Sequence, residues 1–430
     1  MILISKDVFR GVVFGCGLSA VLLSCTDASR DLPVPDSTVL DVVSSSSGQQ
    51  SATDQAIPSE QKLLTAITTE IIVPNYQNLK AVADAFVAPD GALAQHCALG
   101  LGALDNDSQF RNEFRDLVEA VQATEIHAVG PAMANGAQLR NKISSYHAGP
   151  VSTCGIDEIA VLSQTSAFDL LERPSNQRGL GALDYLLFND NLQHSCPPQA
   201  ATTSDWNARS GEARFEARCD AAKALSADLA SAAGFLVAAW DPADGDFSTE
   251  FSQEAAVGQN LQALTDALFF LEEGAKDAKL GNPLGIVAAC SSETCPNMIE
   301  FPHSELSLAA VSTNISSFKR LFEVNDETGF DVIIAERGFD DVSQRFIENT
   351  DEVMAYMETI ETNLSSQVRL VEDGGSSDCI NAAANPSTAS VSLPTCTLYG
   401  LIKRVVDDMK IDFVTILNVN LPGGTRADND

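Results

Sequence analysis

Apolar residues recur at helical spacing through most of the chain beyond residue 58, whereas alternating apolar and polar residues are nearly absent. This spacing places the apolar side chains of each segment on one face of a helix, and such faces must pack against one another. The clearest stripes lie in segments 110–121, 221–240, 257–271, 308–322 and 353–371. They predict an all-α fold of two packed helical bundles of the four-helix type.

The helical segments form two runs that divide near residue 245. We therefore predict an N-terminal helical bundle over residues 59–245 and a C-terminal helical bundle over residues 246–430. Pro74 lies inside the first helical run. Because proline removes one backbone donor, we expect a kink or a break in that helix.

The N-terminus has the pattern of a lipoprotein signal peptide. A charged start precedes an apolar run over residues 11–24 that contains no charge. This run is shorter than the ~20 residues that span a bilayer. It ends in Leu-Leu-Ser-Cys at residues 22–25, which resembles a bacterial lipobox. The pattern predicts a signal peptide over residues 1–24, cleavage before Cys25 and acylation of Cys25.

Residues 25–58 begin with the acylated cysteine and are otherwise rich in Ser, Thr, Asp, Pro and Gln. This composition is typical of a flexible tether. The sequence thus predicts a periplasmic protein of a Gram-negative bacterium, anchored by lipid to the outer membrane.

The cysteine content fits an oxidising compartment. The chain has ten cysteines, of which Cys16 lies in the signal peptide and Cys25 would be acylated, so eight remain. An even number in the periplasm predicts disulfides that staple the long loops. Proximity in the sequence favours four pairs: Cys196 with Cys219, Cys290 with Cys295, Cys379 with Cys396, and the remaining Cys97 with Cys154.

The charge excludes one class of partner. The chain carries 26 Lys and Arg against 59 Asp and Glu, a net charge of -33. Such a surface repels phosphate backbones, so we expect no nucleic acid partner.

The most distinctive run is RPSNQRGLGALDYLLF at residues 173–188. It resembles the imelysin-like family of bacterial envelope lipoproteins, in the subgroup that carries a run like RGLxALEYLLF. Similar residues recur in IIVPNYQ at 71–77, KDAKLGNPLG at 276–285 and the segment 290–296, and the resemblance covers residues ~60 to 422. It implies an all-helical fold of two bundles, a crevice near a Gly-x-His-x-x-Glu motif, and an association with iron-regulated uptake or with peptidase activity.

The chain departs from that motif. With Gly179 as the first position, Gly181 stands where the family has His, and Asp184 stands where it has Glu. Glycine offers no ligand atom, which disfavours a metallopeptidase. The resemblance implies crevice residues in this segment: Arg178, Gly179, Gly181, Asp184 and Tyr185. A structural interpretation stays open, in which Gly181 allows close helix packing and Asp184 pairs with a cation such as Arg178.

A second candidate site lies at residues 276–285. Lys276 and Lys279, followed by Gly281 and Pro283, could present cations and backbone donors to an anionic ligand. The alternative is a helix C-terminus, with the lysines near the negative end of the dipole, Gly281 as a left-handed cap and Pro283 as the stop.

His303 and Glu305 flank a predicted N-cap at Ser304 and could add ligands to Asp184 in a metal site. Each of the five histidines is interpreted as a surface or capping residue, because all lie in or beside predicted loops or helix ends. They are His96, His127, His147, His194 and His303.

The sequence favours a lipid-anchored, non-enzymatic protein that binds a ligand or metal in iron acquisition. A metallopeptidase of the imelysin type and a purely structural or docking lipoprotein are the alternatives. The predicted partners are the membrane, an envelope protein, or a small anionic or metal ligand. The sequence assigns no definite cofactor, and iron or another divalent metal is the candidate.

Overall fold

Helices make up most of the described chain. The computed structural model describes residues 58–102, 108–166, 168–388 and 390–422, so the predicted signal peptide, Cys25 and nearly all of the tether lie outside the described residues. The α-helices are α1 (Ser59–Ile67), α2 (Val73–Val87), α3 (Ala92–Leu99), α4 (Ser108–Glu125), α5 (Ala134–Ile143), α6 (Thr153–Leu162), α7 (Gly179–Phe188), α8 (Gly211–Trp240), α9 (Phe247–Ser252), α10 (Val257–Leu268), α11 (Asn282–Leu284), α12 (Ser307–Glu323), α13 (Phe330–Glu336), α14 (Asp340–Met357), α15 (Leu364–Leu370), α16 (Ser376–Ala384), α17 (Pro394–Asp408) and α18 (Val414–Leu417).

Shorter helical turns join these elements. The π-helical segments are Thr68–Ile72, Leu271–Gly281, Val371–Gly375 and Met409–Phe413. The 3₁₀ turns are Gly100–Gly102, Gly130–Ala132, Tyr146–Ala148, Leu170–Glu172, Ser175–Gln177, Trp206–Ala208, Glu254–Ala256 and Pro296–Met298. Within the described ranges, the one β-type pairing is an isolated bridge between Asn325 and Thr328. The all-α prediction is confirmed.

Helix α8 organises the first half of the fold. Its length and composition would allow it to cross a membrane, but half of its most apolar window is buried inside the protein. Leu229, Leu236 and Trp240 on this helix are buried, and α2, α5, α6 and α7 pack against it. It is therefore the central core helix of this half.

In the second half, α17 packs against α14, α16 and the π-helical segment Leu271–Gly281. Helix α12 contacts both α14 and α4, so it joins the two halves. One hydrophobic core cluster includes residues from both halves. The predicted boundary near residue 245 stays a prediction.

The chain stays helical past Pro74, so a break does not occur, and the alternative of a kink stays a prediction. Helices α1 and α2 run on through the π-helical turn Thr68–Ile72, and Pro74 lies in the first turn of α2. A π turn changes the backbone hydrogen-bond register by one residue, which lets a helix continue past a missing donor.

The disulfides confirm two of the predicted pairs. Cys290 is bonded to Cys295, and Cys379 is bonded to Cys396. The other two predicted pairs, Cys196 with Cys219 and Cys97 with Cys154, are wrong. The observed pairs are Cys97–Cys219 and Cys154–Cys196.

Helix packing explains this correction. Cys97 on α3 and Cys219 on α8 are separated by 122 residues in the sequence. They meet because α3 packs against α8. Cys154 opens α6 next to the loop that carries Cys196. Tertiary contact between helices, which sequence proximity does not report, decides these two bonds.

Candidate functional site

A pocket of about 700 Å³ lies beside the 3₁₀ turn Tyr146–Ala148 and the π-helical segment Leu271–Gly281. The buried carboxylate of Glu125, at the end of α4, lines it. The exposed side chains of Asp266 and Glu273 line it nearer the solvent. The volume falls within the range of about 300–1,000 Å³ that is usual for small-molecule sites.

A buried lysine lies directly behind this pocket. The ammonium group of Lys279 donates hydrogen bonds to Glu125 Oε2 at 2.6 Å and to Asn314 Oδ1 at 2.8 Å. It also contacts Gln122 Oε1 and lies 3.1 Å from Glu300 Oε2. The Lys279 side chain is 0% exposed. One cation thus holds two carboxylates from different halves of the fold.

The pKa values of the two carboxylates are shifted in opposite directions. Burial alone would raise the pKa of Glu125, but the nearby charges of Lys279 and His147, together with the hydrogen bond from Lys279, outweigh burial and hold that pKa well below its usual range. Burial raises the pKa of Glu300, and Lys279 offsets only part of this effect. The same buried lysine therefore lowers the pKa of Glu125 below its usual range, whereas the pKa of Glu300 stays above its ordinary value.

Glu125 retains one unused oxygen. Its Oε1 atom lies 3.5 Å from Nε2 of His147. Both atoms are buried, and neither makes a hydrogen bond. Two ligand atoms about 2.1 Å from a tetrahedral metal ion lie about 3.4 Å apart, so this spacing suits a shared cation. Carboxylate and imidazole are both ligands that bind divalent iron and zinc.

The pocket also contains an arginine without a carboxylate partner. Arg140 lines the pocket, and its guanidinium contacts Asn141 Oδ1 and Met133 Sδ rather than a described carboxylate. Burial lowers the pKa of Arg140, and Glu125 opposes that effect. The pocket therefore offers a cation-binding pair and an anion-binding guanidinium in one space.

The predicted crevice segment forms α7, and its glycines have structural causes. Gly179 has φ +70°, and a Cβ there would lie 2.6 Å from the carbonyl oxygen of Ile143. A Cβ on Gly181 would lie 2.9 Å from Val151 Cγ1. Close packing of backbone against neighbouring elements accounts for both positions.

Asp184 does not pair with Arg178. Its carboxylate accepts hydrogen bonds from the backbone N–H of Ser304 at 2.9 Å and of His303 at 3.2 Å. Burial raises the pKa of Asp184 to about 6, and these hydrogen bonds offset part of the effect. Arg178 instead forms hydrogen bonds with Asp228 on α8. The proposed Asp184–Arg178 pair is wrong because each residue has a nearer partner on another element.

Tyr185 is buried and stabilises a loop. Its hydroxyl donates to Asp157, whose carboxylate also accepts hydrogen bonds from the backbone N–H and the hydroxyl of Ser195. Arg218 lies 4.0 Å from the same carboxylate. Burial and the Asp157 charge raise the pKa of Tyr185 to about 12. This cluster fixes the loop that carries Cys196 against α6.

The second predicted segment is a helix end, but its details differ. Gly281 has a right-handed φ of -60°, and the left-handed residue is Gly285 with φ 72°. Pro283 lies within α11, so it does not end the helical segment that precedes it. Lys276 is buried and donates to Asp277 Oδ1 and to the hydroxyl of Tyr399. The predicted Gly281 cap is wrong because Gly281 packs against Val287 and Tyr399 instead.

The predicted metal residues are not assembled as ligands. The Asp184 carboxylate accepts the backbone N–H groups of His303 and Ser304, while Glu305 is exposed. Ser304 is not the N-cap, because α12 begins at Ser307.

Within the described ranges, one group of three metal-type ligands lies within 4.8 Å: Cys154, Glu158 and Cys196. Its two cysteines form a disulfide, so their sulfur atoms are not thiolate ligands.

Comparisons with known proteins identify the family of this chain. The family model described as Imelysin, whose name includes the word peptidase, matches residues 72–386. The chain belongs to the imelysin family. A search of curated protein sequences gives no match.

Two solved structures share the imelysin fold with this chain. An imelysin-like protein from Psychrobacter arcticum 273-4 is 16% identical with a TM-score of 0.58, and the match covers 85% of this chain and 97% of that one. A protein assigned as an iron-regulated protein A precursor from Parabacteroides distasonis ATCC 8503 is 15% identical with a TM-score of 0.54, covering 82% and 97%. At these identities the likeness establishes the fold.

Sequence reasoning missed the pocket residues of this imelysin-family chain. Glu125 lies near the middle of the chain's first half, whereas Lys279 and Glu300 lie in its second half, so no local motif joins them. Two of the five histidines also differ from the surface interpretation: His96 is 2% exposed and His127 is 0% exposed. The ring of His96 stacks on the ring of Phe110, with 3.9 Å between the two ring centroids. The spacing of the apolar residues near His96 in the sequence could have indicated this contact.

Proposed function

We propose that this imelysin-family protein binds a metal ion, iron among the candidates, together with a small anionic chelator in the pocket beside Glu125. The observation that carries the proposal is the Glu125–His147 pair, whose facing atoms lie 3.5 Å apart and make no hydrogen bond. The low pKa of Glu125 keeps its carboxylate ionised, as a metal ligand must be.

The anionic part of the proposed ligand follows from Arg140. A bare dication would be repelled by a guanidinium in the same pocket, whereas a chelate can place its anionic groups against Arg140 and its metal against Glu125 and His147. The volume of about 700 Å³ also exceeds the space that one ion needs. The relative assigned as an iron-regulated protein makes iron a reasonable metal to test first.

The experiment is calorimetric titration of the purified protein with ferric citrate, with citrate alone and with Zn²⁺ alone. We expect saturable binding of ferric citrate and a loss of about tenfold or more on His147→Ala, because removing a ligand costs at least as much as removing its outer-shell partner. Arg140→Gln should weaken ferric citrate more than Zn²⁺. His194→Ala, a half-buried histidine outside the pocket, is the matched control.

Equal binding by wild type and His147→Ala would contradict the proposal. The alternative function, a metallopeptidase, predicts chelator-sensitive cleavage of an unstructured polypeptide such as casein. We expect none, because Gly181 supplies no ligand at the position where the family has His. Cleavage that His147→Ala leaves intact but EDTA abolishes would support the alternative.

We also propose that the protein is acylated at Cys25 and held at the periplasmic face of the outer membrane by that lipid. The support is the lipobox-like run at residues 22–25 and the tether that follows it. Mass spectrometry of protein expressed with its own N-terminus in a Gram-negative host should give an N-terminal diacylated cysteine. Cys25→Ser should remain uncleaved, whereas a mature N-terminus elsewhere without lipid would contradict the anchor.

A further inference from the structure

His147, one of the two proposed metal ligands, lies in the connection between α5 and α6. This connection spans residues 144–152 and contains the 3₁₀ turn Tyr146–Ala148, which a backbone hydrogen bond from Ala148 to Ser145 closes at 2.8 Å. A single 3₁₀ turn has few internal contacts, and its hydrogen-bond geometry is poorer than that of an α-helix. The position of the imidazole therefore depends on what the turn contacts in the rest of the fold.

The hydroxyl group of Tyr146 joins this turn to two other walls of the pocket. It lies 2.7 Å from the carbonyl oxygen of Ala278 and 2.7 Å from that of Met298, and it can donate its hydrogen to either. Both of these residues line the pocket. Ala278 directly precedes Lys279, which pairs with both buried carboxylates, and Met298 lies two residues before Glu300. One hydroxyl thus links the turn that carries the imidazole to the segments that carry the buried network.

The ring of Tyr146 also packs against the imidazole of His147. The two rings meet edge to face, with 5.6 Å between their centroids. The ring of Phe270 contacts the same imidazole edge to face, with 4.8 Å between the centroids. Aromatic rings favour this arrangement over a face-to-face sandwich. Tyr146 therefore constrains the imidazole through its ring and anchors the backbone of the turn through its hydroxyl.

We propose that Tyr146 is a positioning residue of the metal-chelate pocket, whose hydroxyl holds His147 Nε2 at 3.5 Å from Glu125 Oε1. This inference rests on the proposed function and adds to it the group that sets the ligand spacing. A ligand pair that is held in place before the metal arrives binds it without a large ordering cost. Without the hydroxyl, the turn loses its link to Ala278 and Met298, so metal binding must first order the turn.

A double-mutant cycle tests whether Tyr146 acts through His147. Wild type, Tyr146→Phe, His147→Ala and the double variant are titrated with ferric citrate by calorimetry. Tyr146→Phe removes the hydroxyl and keeps the ring, and we expect it to weaken ferric citrate binding about tenfold, as the loss of an outer-shell partner does. In the His147→Ala background the same change should weaken binding less than about twofold, because no imidazole remains to be positioned.

Nuclear magnetic resonance of the metal-free protein labelled with [¹⁵N]histidine gives a second readout. His147→Ala assigns the signal of the His147 ring. We expect this signal to broaden in Tyr146→Phe, because the ring then samples more than one position, while the other histidine signals stay sharp. This measurement decides the matter if His147→Ala binds ferric citrate too weakly for the cycle, and a sharp His147 signal in Tyr146→Phe would contradict the positioning role.

Tyr185→Phe is the matched control for Tyr146→Phe. The Tyr185 hydroxyl also makes a buried hydrogen bond, to Asp157, but Tyr185 does not line the pocket. We expect the two variants to lose similar thermal stability, measured by circular dichroism, whereas only Tyr146→Phe weakens ferric citrate binding.

Three calorimetric results would overturn the positioning role of Tyr146. They are an unchanged affinity in Tyr146→Phe, an equal loss in the wild-type and His147→Ala backgrounds, and an equal loss in Tyr185→Phe. A wild type without saturable ferric citrate binding would overturn the proposed function and this inference together. Saturable binding that His147→Ala weakens and Tyr146→Phe leaves unchanged would overturn the inference alone.

Discussion

Replacing Lys279 by methionine is expected to lower the free energy of unfolding by about 3–5 kcal/mol at pH 7, because it leaves a buried carboxylate without its cation. Lys279 is the shared partner of Glu125 and Glu300, and its side chain is 0% exposed. Methionine keeps the length and apolar volume of the lysine stem, so the loss reports the charge. Urea unfolding followed by circular dichroism measures it.

The stability lost in Lys279→Met should depend on pH. In the wild type, Lys279 and His147 lower the pKa of Glu125 against the opposing effect of burial, so Glu125 contributes stability above its ordinary pKa that is lost on strong acidification. In Lys279→Met, burial raises the pKa of Glu125, and acidification protonates it. The difference between the two proteins should therefore shrink as the pH falls.

Lys319→Met is the matched control for Lys279→Met. Lys319 also pairs with two carboxylates, Glu323 and Asp351, but its side chain is 24% exposed. A partly solvated pair is worth about 0–1 kcal/mol. A second variant, Lys279→Met with Glu125→Gln, should regain part of the lost stability. A loss below 1 kcal/mol in Lys279→Met would show that Lys279 does not compensate the buried charge of Glu125 and Glu300.

Replacing Asp184 by alanine is expected to lower the free energy of unfolding by about 2–4 kcal/mol at pH 4, since two half-buried backbone donors lose their buried acceptor. Those donors are the N–H groups of His303 and Ser304. Asp184→Asn keeps one acceptor oxygen and should lose less. Thermal unfolding from pH 4 to pH 8 measures the effect.

The cost of Asp184→Ala should fall as the pH rises. Burial raises the folded pKa of Asp184 to about 6 from an ordinary value of 3.8. A carboxyl group whose pKa is raised in the folded protein contributes most to the free energy of unfolding at low pH. That contribution is lost as the pH rises from about 4 through 6. A stability difference that instead grows between pH 4 and pH 8 would mean that Asp184 is held ionised in the folded protein.

The sequence predicted the fold better than it predicted the site. Helical spacing identified the core stripes, and residues such as Phe114, Leu229 and Phe318 are indeed buried. The predicted pairs Cys290–Cys295 and Cys379–Cys396 were correct because short loops bring their ends together. Cys97–Cys219 could not be predicted, since it depends on the packing of α3 against α8.

The pocket was missed for a similar reason. A buried salt bridge between Glu125 and Lys279 joins residues 154 positions apart. In the sequence, each residue alone is typical of an ordinary polar helix face. The sequence did single out Lys279, but as a cation for an anionic ligand or as part of a helix C-terminus, and not as the buried partner of Glu125. The sequence drew attention to Gly181 through a resemblance, whereas the proximity of His147 to Glu125 became visible only in three dimensions.

The central claim is that Glu125 and His147 share a metal ion. Anomalous diffraction at the iron edge, from crystals grown with ferric citrate, tests it most directly. We predict a peak within about 2.3 Å of both Glu125 Oε1 and His147 Nε2, with density for the chelator extending toward Arg140. A peak beside Asp184, or no peak at concentrations that saturate binding in solution, would contradict the claim.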